Sequence, residues 1–376
     1  MVRDEADVIK PMIEHHLQQG VDRIIVTDNG SIDGTTEILH EFGKTIDLRN
    51  DPIQRKQQHS VVTTMARDAY RLYNADWVIN ADADEFWFSK NSGHSLKEIF
   101  DKIDTAVKTF KVDVVDMTGV PARAGTGFQR LIYRDLRPVD YLTRIGLHAH
   151  STPDAVHIGL PYIEVAQGNH FVNLEQDGSI PPEFELEVLH FPWRSWSQFS
   201  GKVEKSGKAY AANPDLQPSP NHHGMREYRR LSEGTLFPYY IIRHPDEAEI
   251  EQGLEAGYFV KDERLSARYK SPQKDVFFPE ATLDNAREYG KIISQLDTVH
   301  VSELEVAHNR ERDLLRFVDE GGKTIDSLLE ERAAKDTELN SLKINLREAS
   351  EALSAMRQRK AVRLADWIHG GVARRS

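Results

Sequence analysis

Not one cysteine occurs among the 376 residues. Disulfides and thiolate metal sites are thereby excluded, and the composition suits a reducing compartment. No run approaches the roughly 18 apolar residues that a membrane span requires, and no signal-peptide pattern opens the sequence. The expectation is a cytoplasmic protein. A Walker-type glycine loop is missing, as is an EF-hand loop with spaced acids, a central Gly and a terminal Glu. Excess positive charge is missing too. The formal net charge is −12, and residues 302–376 balance fourteen Lys/Arg against fourteen Asp/Glu, so the acidity lies in the first three hundred residues. A body of that sign does not bind polyanions nonspecifically, and nucleic acid is not an expected partner. It does tolerate a cation-assisted reaction on a phosphate-bearing molecule.

The first 120 residues alternate helix and strand signals, the pattern of an α/β layer fold. In "ADVIKPMIEHHLQQG", Val8, Ile9, Met12, Ile13, His16 and Leu17 share one helical stripe, with Asp7 as a candidate cap and Gly20 as the stop. Pro11 is tolerated because it falls in the early turns. "VDRIIVT" (21–27), "DWVIN" (76–80) and "VDVVDMT" (112–118) read as strands, and a long helix is expected around 55–74. Ser95 and Glu98 have capping-box spacing for a helix through Ile103. An open α/β sheet normally buries a strand before its first helix, and "RDEADVI" follows Met1-Val2 at once. The expectation is that the true start lies upstream.

Residues 121–270 are less regular and rich in His, Pro and aromatics, as binding loops often are. The division expected is 1–270 as one domain, with a nucleotide-binding half (1–120) and an acceptor half (121–270). A linker over 271–301 and a helical region over 302–376 follow. In the last region Ile325, Leu328, Leu339, Leu342, Leu346, Ala349, Leu353 and Met356 keep alternating three- and four-residue steps once Arg332 and Lys335 are counted. That is a heptad seam, expected to join copies of the chain through 325–356, with Gly321-Gly322 separating it from the preceding helix; the plainer alternative is one amphipathic helix folded onto the body. The basic tail "RQRKAVRLADWIHGGVARRS", with Val362, Leu364, Trp367 and Ile368, either touches an anionic membrane surface or is a solvated end.

Two carboxyl-rich loops follow strands. Asp28-Asn29-Gly30-Ser31 ends the first, and Asp82-Ala83-Asp84-Glu85 ends the strand "DWVIN". Ligands of open α/β sheets gather at the carboxyl ends of strands, so neighbouring strands would bring both loops to one crevice. In an extended segment Asp82 and Asp84 point the same way. A hard divalent cation bridging them to a diphosphate would compensate their repulsion; acids after a strand also serve as helix caps and turn formers, which is the plainer reading. Downstream, "HFPWRSWSQFSGKVEKSGK" sets Arg194 four residues after His190 and then supplies Lys202, Lys205 and Lys208. An imidazole can complete a coordination shell, and an Arg fork suits phosphate. A structural histidine and a solvated lysine face, with Trp193, Trp196 and Phe199 as packing, are the plainer alternatives.

The succession "VRDE", "DNGSIDGT", "DADEF" and "HFPWRSWSQFSGK" resembles the glycosyltransferase family 2-like group, over roughly residues 2–240. The resemblance implies a GT-A fold, an open mixed sheet flanked by helices, here followed by a C-terminal α-helical coiled coil. It implies a DxD motif in which Asp84 is the main ligand of Mn²⁺ or Mg²⁺, Asp82 lies by the metal and ribose, and His190 joins the metal set. Arg3, Glu5, Asp28 and Asn29 would line the nucleotide, with Arg194 and Lys202 on the diphosphate. Glu85 would support the metal site or fold the turn. The implied reaction is transfer of a sugar from a nucleotide sugar, UDP-linked by expectation, to a glycan or lipid-linked acceptor with inversion. Its general base falls among Glu164, Asp154 and His170. A nucleotidyltransferase and a non-catalytic, coiled-coil scaffold for nucleotide or glycan are the rival classes.

Overall fold

The computed structural model describes residues 1–53, 58–91, 93–175, 180–212 and 223–372. The chain divides into two compact units, Met1–Ser302 and Glu303–Ser376. The first is a mixed α/β body. Helix α1 (Ile9–Gln18) buries Ile9, Met12, Ile13 and His16 of the stripe read from sequence, and also Pro11 and His15, which lie outside it. Burial holds His15 neutral, its pKa pushed down to about 3, and its Nε2–H donates to the Trp87 carbonyl at 2.8 Å. Asp7 does not cap this helix. Val8 is the N-cap, whose apolar side chain can make no cap bond, and the Asp7 carboxylate is committed to Arg194.

β1 (Ile24–Asp28), α2 (Thr35–Glu41), β2 (Ile46–Asn50), α3 (Gln58–Tyr73) and β3 (Trp77–Ile79) follow. β1 pairs with β2 in parallel, Ile24 opposite Ile46, and on β1 Val2 forms a parallel bridge with Asp28. Among the described residues β1 and β3 are not hydrogen-bonded to each other. A cavity of about 660 Å³ separates them, lined by apolar side chains that include Val26, Val62, Met65 and Val78. The strand pairing that would carry both acidic loops to one crevice is therefore absent among the described residues.

The larger sheet is built on β5 (Thr109–Thr118), which in the chain follows β4 (Glu85–Ser89) and helix α4 (Leu96–Phe100) and precedes β6 (Tyr133–Asp135), its antiparallel partner. Helix α5 (Val139–Arg144), β7 (Asp154–Ile158) and β8 (Leu186–His190) come next. The first half of β5 runs antiparallel to β7, and its second half runs parallel to β8. β8 in turn pairs antiparallel with β4. β4 is buried along its whole length: Phe86 and Phe88 join the core beneath α1, and Trp87 joins the one beneath α4. The Ser95–Glu98 capping box is present at α4, whose helix ends at Phe100, short of Ile103.

Helices α6 (Trp196–Ala211), α7 (His223–Glu233), α8 (Leu236–Arg243) and α9 (Glu247–Ala256), then strand β9 (Phe259–Lys261) on β6, complete the body. Gly207 lets α6 lie directly against Tyr228, since a Cβ there would sit 2.1 Å from the ring. Trp193, Trp196 and Phe199 pack with α5 and α8, as the packing alternative has it. Residues 271–279 are irregular, with Val276 bridging Ala124. Helix α10 (Glu280–Val372) then begins inside the stretch read as a linker, and it buries Ala286 and Ser294.

The second unit is helical through its described residues. Gly321 and Gly322 do not interrupt the helix, because their neighbours supply strong helix formers on both sides. Leu314 and Val318 thereby fall in register with Ile325 on the heptad seam, and all three are exposed. Described helices include none long and apolar enough to cross a membrane. The side chains of Val362, Trp367 and Ile368 in the basic tail lie outside the described residues.

Candidate active site

The acidic stretch is a turn, not an extended strand. The Glu85 N–H donates to the Asp82 carbonyl at 3.2 Å, and the Glu85 carboxylate accepts the Asp82 N–H at 2.8 Å. Asp82 and Asp84 therefore meet different neighbours, contrary to the expectation from strand alternation. Glu85 folds the turn, the second of its two expected roles. Burial and the nearby Asp154 and Asp82 push its carboxyl well above the usual range.

Asp84 is 1% exposed. Its Oδ2 accepts from Lys202 at 2.9 Å and from Arg194 at 3.2 Å, and its Oδ1 faces His190 Nε2 across 3.8 Å. Burial alone would raise its pKa. Lys202, His190 and Arg194 outweigh that and hold the carboxyl below the usual range. Strand register aims His190. It lies opposite Asp116 of β5 on one side and opposite Glu85 of β4 on the other, so all three side chains share a face. Its Nδ1 is 2.9 Å from Asp116 Oδ1.

Arg194 is fully buried, and its donors are spent inside the protein. Nε donates to Asp7 at 2.8 Å, Nη1 to Asp84 and the Phe191 carbonyl, and Nη2 to Glu5 and to the second Asp7 oxygen. The expected roles of Arg194 on a diphosphate and of Glu5 by the nucleotide do not fit this arrangement, because a saturated guanidinium has no fork to offer. Lys202 is different: its side chain is 46% exposed while touching Asp84. Lys205, one turn along α6, pairs with Asp4 at 2.5 Å, not with solvent alone, whereas Lys208 makes the surface pair with Glu204. Lys202 and Lys205 thus join the acidic turn to the "VRDE" segment, where Arg3 lies beside Asp4.

The "DNGSIDGT" loop closes on itself. Asp28 accepts from Ser31 and Thr36, and both Asn29 amide hydrogens go to the carbonyls of Asp51 and Ile53. Both residues are 4% exposed, so they build the loop and do not present side chains to a base. Asp82 meets Asn169 at 3.1 Å and Gln58 at 3.3 Å. Beside it, Asp154 at the start of β7 lies 3.0 Å from His170 Nδ1. Burial and Asp82 raise the Asp154 pKa. Among the described residues its buried Oδ2 has no hydrogen-bond partner, nor has Asn169 Oδ1. Asp4 and Asn169 both hold left-handed backbone (φ 56° and 65°), a local strain found preferentially at functional sites. Glu164 stands apart: it is exposed and pairs with Arg67 at 3.3 Å.

Among the described residues no three His, Asp or Glu side chains close on a common centre. Asp84 Oδ1 and His190 Nε2 nevertheless make an oxygen–nitrogen donor pair with no hydrogen bond between them. That suits a hard cation which takes its remaining ligands from water and from substrate phosphates. Motif reading missed Asp116, Asn169, Ser151 and Arg243. Asp116 carried a signal: it continues the buried phase of Val112 and Val114, where a carboxylate requires a partner.

No curated protein matches the chain. Residues 1–117 match the family model of glycosyltransferase family 92, a stretch that contains the acidic turn and Asp116 and ends before His190. This similarity does not single out the family 2-like group that the motifs resemble, and it supports a glycosyltransferase.

Proposed function

We propose that the protein is a metal-dependent glycosyltransferase of GT-A-like fold, moving a sugar from a nucleotide-sugar donor, UDP-linked, to the hydroxyl of a glycan or lipid-linked acceptor with inversion. The observation that carries this is Asp84: a buried carboxylate kept ionised inside the family-matched region and facing His190 Nε2 across 3.8 Å. Asp84 and His190 would hold Mn²⁺ or Mg²⁺, which when bound supplies Lewis-acid stabilisation of the departing diphosphate. Lys202, whose side chain is partly exposed, sets its ammonium beside the same carboxylate and can meet a phosphate oxygen. Arg194 holds Glu5, Asp7 and Asp84 in place from behind.

The base is assigned to His170, oriented by Asp154. Asp154 accepts the Nδ1–H, leaving Nε2 to take the acceptor's proton. The acceptor oxygen then bonds to the anomeric carbon as the bond to the diphosphate breaks, and the leaving group carries off the negative charge. Glu164, exposed and paired with Arg67, is given no part in this. The experiment is incubation of the full chain with nucleotide sugars and Mn²⁺, following release of nucleoside diphosphate. Asp84→Ala is expected to abolish release while its circular dichroism stays native. Binding of nucleotide sugar without turnover by the wild-type chain would overturn the enzymatic reading.

Self-association through 325–356 belongs to the same proposal. Ile325, Leu328, Leu339, Leu342, Leu346, Leu353 and Met356 are each about half exposed or more, at heptad spacing, and a second copy of the same helix covers such a stripe.

A further inference from the structure

We propose that Asp116 is a positioning residue: it fixes the tautomer and direction of His190 so that Nε2, beside Asp84, is presented to a divalent cation. The inference rests on the cation-assisted reading above. A neutral imidazole carries one N–H, and only the bare nitrogen can bind a metal. Which nitrogen is bare depends on the partner of the other one. Here Nδ1 lies 2.9 Å from Asp116 Oδ1 and 3.0 Å from Ser151 Oγ; the carboxylate can only accept and the Ser151 hydroxyl hydrogen goes to Asp116 Oδ1 at 2.7 Å, so Nδ1 keeps the proton and Nε2 keeps the lone pair. Nε2 is the nitrogen that faces Asp84 Oδ1.

The support under Asp116 is built for this purpose. The residue is 1% exposed and lies directly opposite His190 in the β5–β8 ladder, so backbone pairing fixes the distance before any side chain moves. Ser151 donates to Oδ1 from its hydroxyl at 2.7 Å and to Oδ2 from its backbone N–H at 3.2 Å. Arg243 Nη2 reaches Oδ2 at 3.5 Å, and His150 Nδ1 lies 3.8 Å from the same oxygen. These four groups orient the carboxylate and keep it charged, and the free lone pairs of Oδ1 point at the imidazole. Carboxylates placed behind a ligating histidine act in this way, and their removal weakens metal binding about 10–100-fold. An imidazole without this partner could present an N–H to the cation, which repels it.

The test uses the full chain and two readouts that need no turnover. Mn²⁺ binding is measured by electron paramagnetic resonance for the wild type, Asp84→Asn, Asp116→Asn and Ser151→Ala. Imidazole ¹⁵N spectra in alkaline buffer, with His190 assigned by comparison with His190→Gln, report the tautomer. The expected results are Mn²⁺ affinity about 10–100-fold weaker in Asp116→Asn, a smaller loss in Ser151→Ala, and a His190 Nδ1–H tautomer in the wild type. Equal Mn²⁺ affinity in the wild type and Asp116→Asn, with Asp84→Asn weakened, overturns the positioning role and leaves the cation reading standing. Equal affinity in the wild type and Asp84→Asn removes the cation reading, and this inference with it. If Asp116→Asn does not fold, the wild-type spectrum decides: an Nε2–H tautomer refutes the proposal.

Discussion

Replacing Arg194 with Met separates an organising guanidinium from a substrate-binding one. Arg194 is wholly buried and shared by three carboxylates, of which Asp84 keeps Lys202 when the guanidinium is lost. Glu5 and Asp7, whose side chains are 11% and 10% exposed, then lose their cation. Breaking a buried ion pair by removing one partner costs about 3–5 kcal/mol, against a typical total stability of about 5–15 kcal/mol. With two carboxylates stranded, the loss should be about 4 kcal/mol or more. At a urea slope of about 3 kcal/mol/M the midpoint falls by more than about 1 M.

The sign of the pH dependence adds a second check. Burial pushes Glu5 up to about 7 although Arg194 pulls it down, and removing the guanidinium releases that restraint. A carboxyl whose folded pKa is raised costs stability as pH rises above its unfolded value of about 4. Wild-type Glu5 ionises as the pH passes about 7 while the variant's Glu5 stays protonated to higher pH, so the deficit of Arg194→Met should grow as the pH is raised from about 6 to about 9. Urea unfolding followed by circular dichroism across that range is the assay. An unchanged midpoint, or a deficit that does not vary with pH, would refute the structural role and return Arg194 to the substrate.

The wild-type response to stronger acid should run the other way. Asp84 and Asp116 are both held below the usual range, against burial, by their cationic and hydrogen-bonded neighbours, so their stabilisation is present above pH about 4 and is lost as pH falls through their lower folded values; acid titration of the far-ultraviolet signal checks this, and a flat response below pH about 4 would contradict it. Asp154→Asn and His170→Ala should each lower turnover about 10²–10⁴-fold with the fold intact, whereas Glu164→Gln should stay close to wild type; steady-state rates of nucleoside diphosphate release decide, and the reverse ranking would move the base to Glu164. Ending the chain after Ser302 should convert the assembly to monomers by light scattering, and an unchanged particle mass would exclude the heptad seam as the contact.

Local patterns were legible wherever neighbours in sequence are also neighbours in space. The stripe of α1, the alternation of β5, the Ser95–Glu98 capping box and the heptad steps of 325–356 all depend on residues a few positions apart. For the same reason Asp84 could be placed in an acid-rich loop at the end of a strand, although not in the turn that parts it from Asp82. The sequence could not say what neutralises that acid. The guanidinium that touches Asp84 lies 110 positions away and also reaches Glu5, 189 positions away. Whether Arg194 offers a fork to phosphate or has already spent it is a question of burial and hydrogen-bond count, which only the folded chain sets. The same holds for Asn29, whose amide is consumed by two carbonyls, and for Asp116, which meets His190 through the register of two strands. Charge compensation acts through space over a few ångströms, so the tertiary fold, not the order of residues, decided which of these groups are left for chemistry.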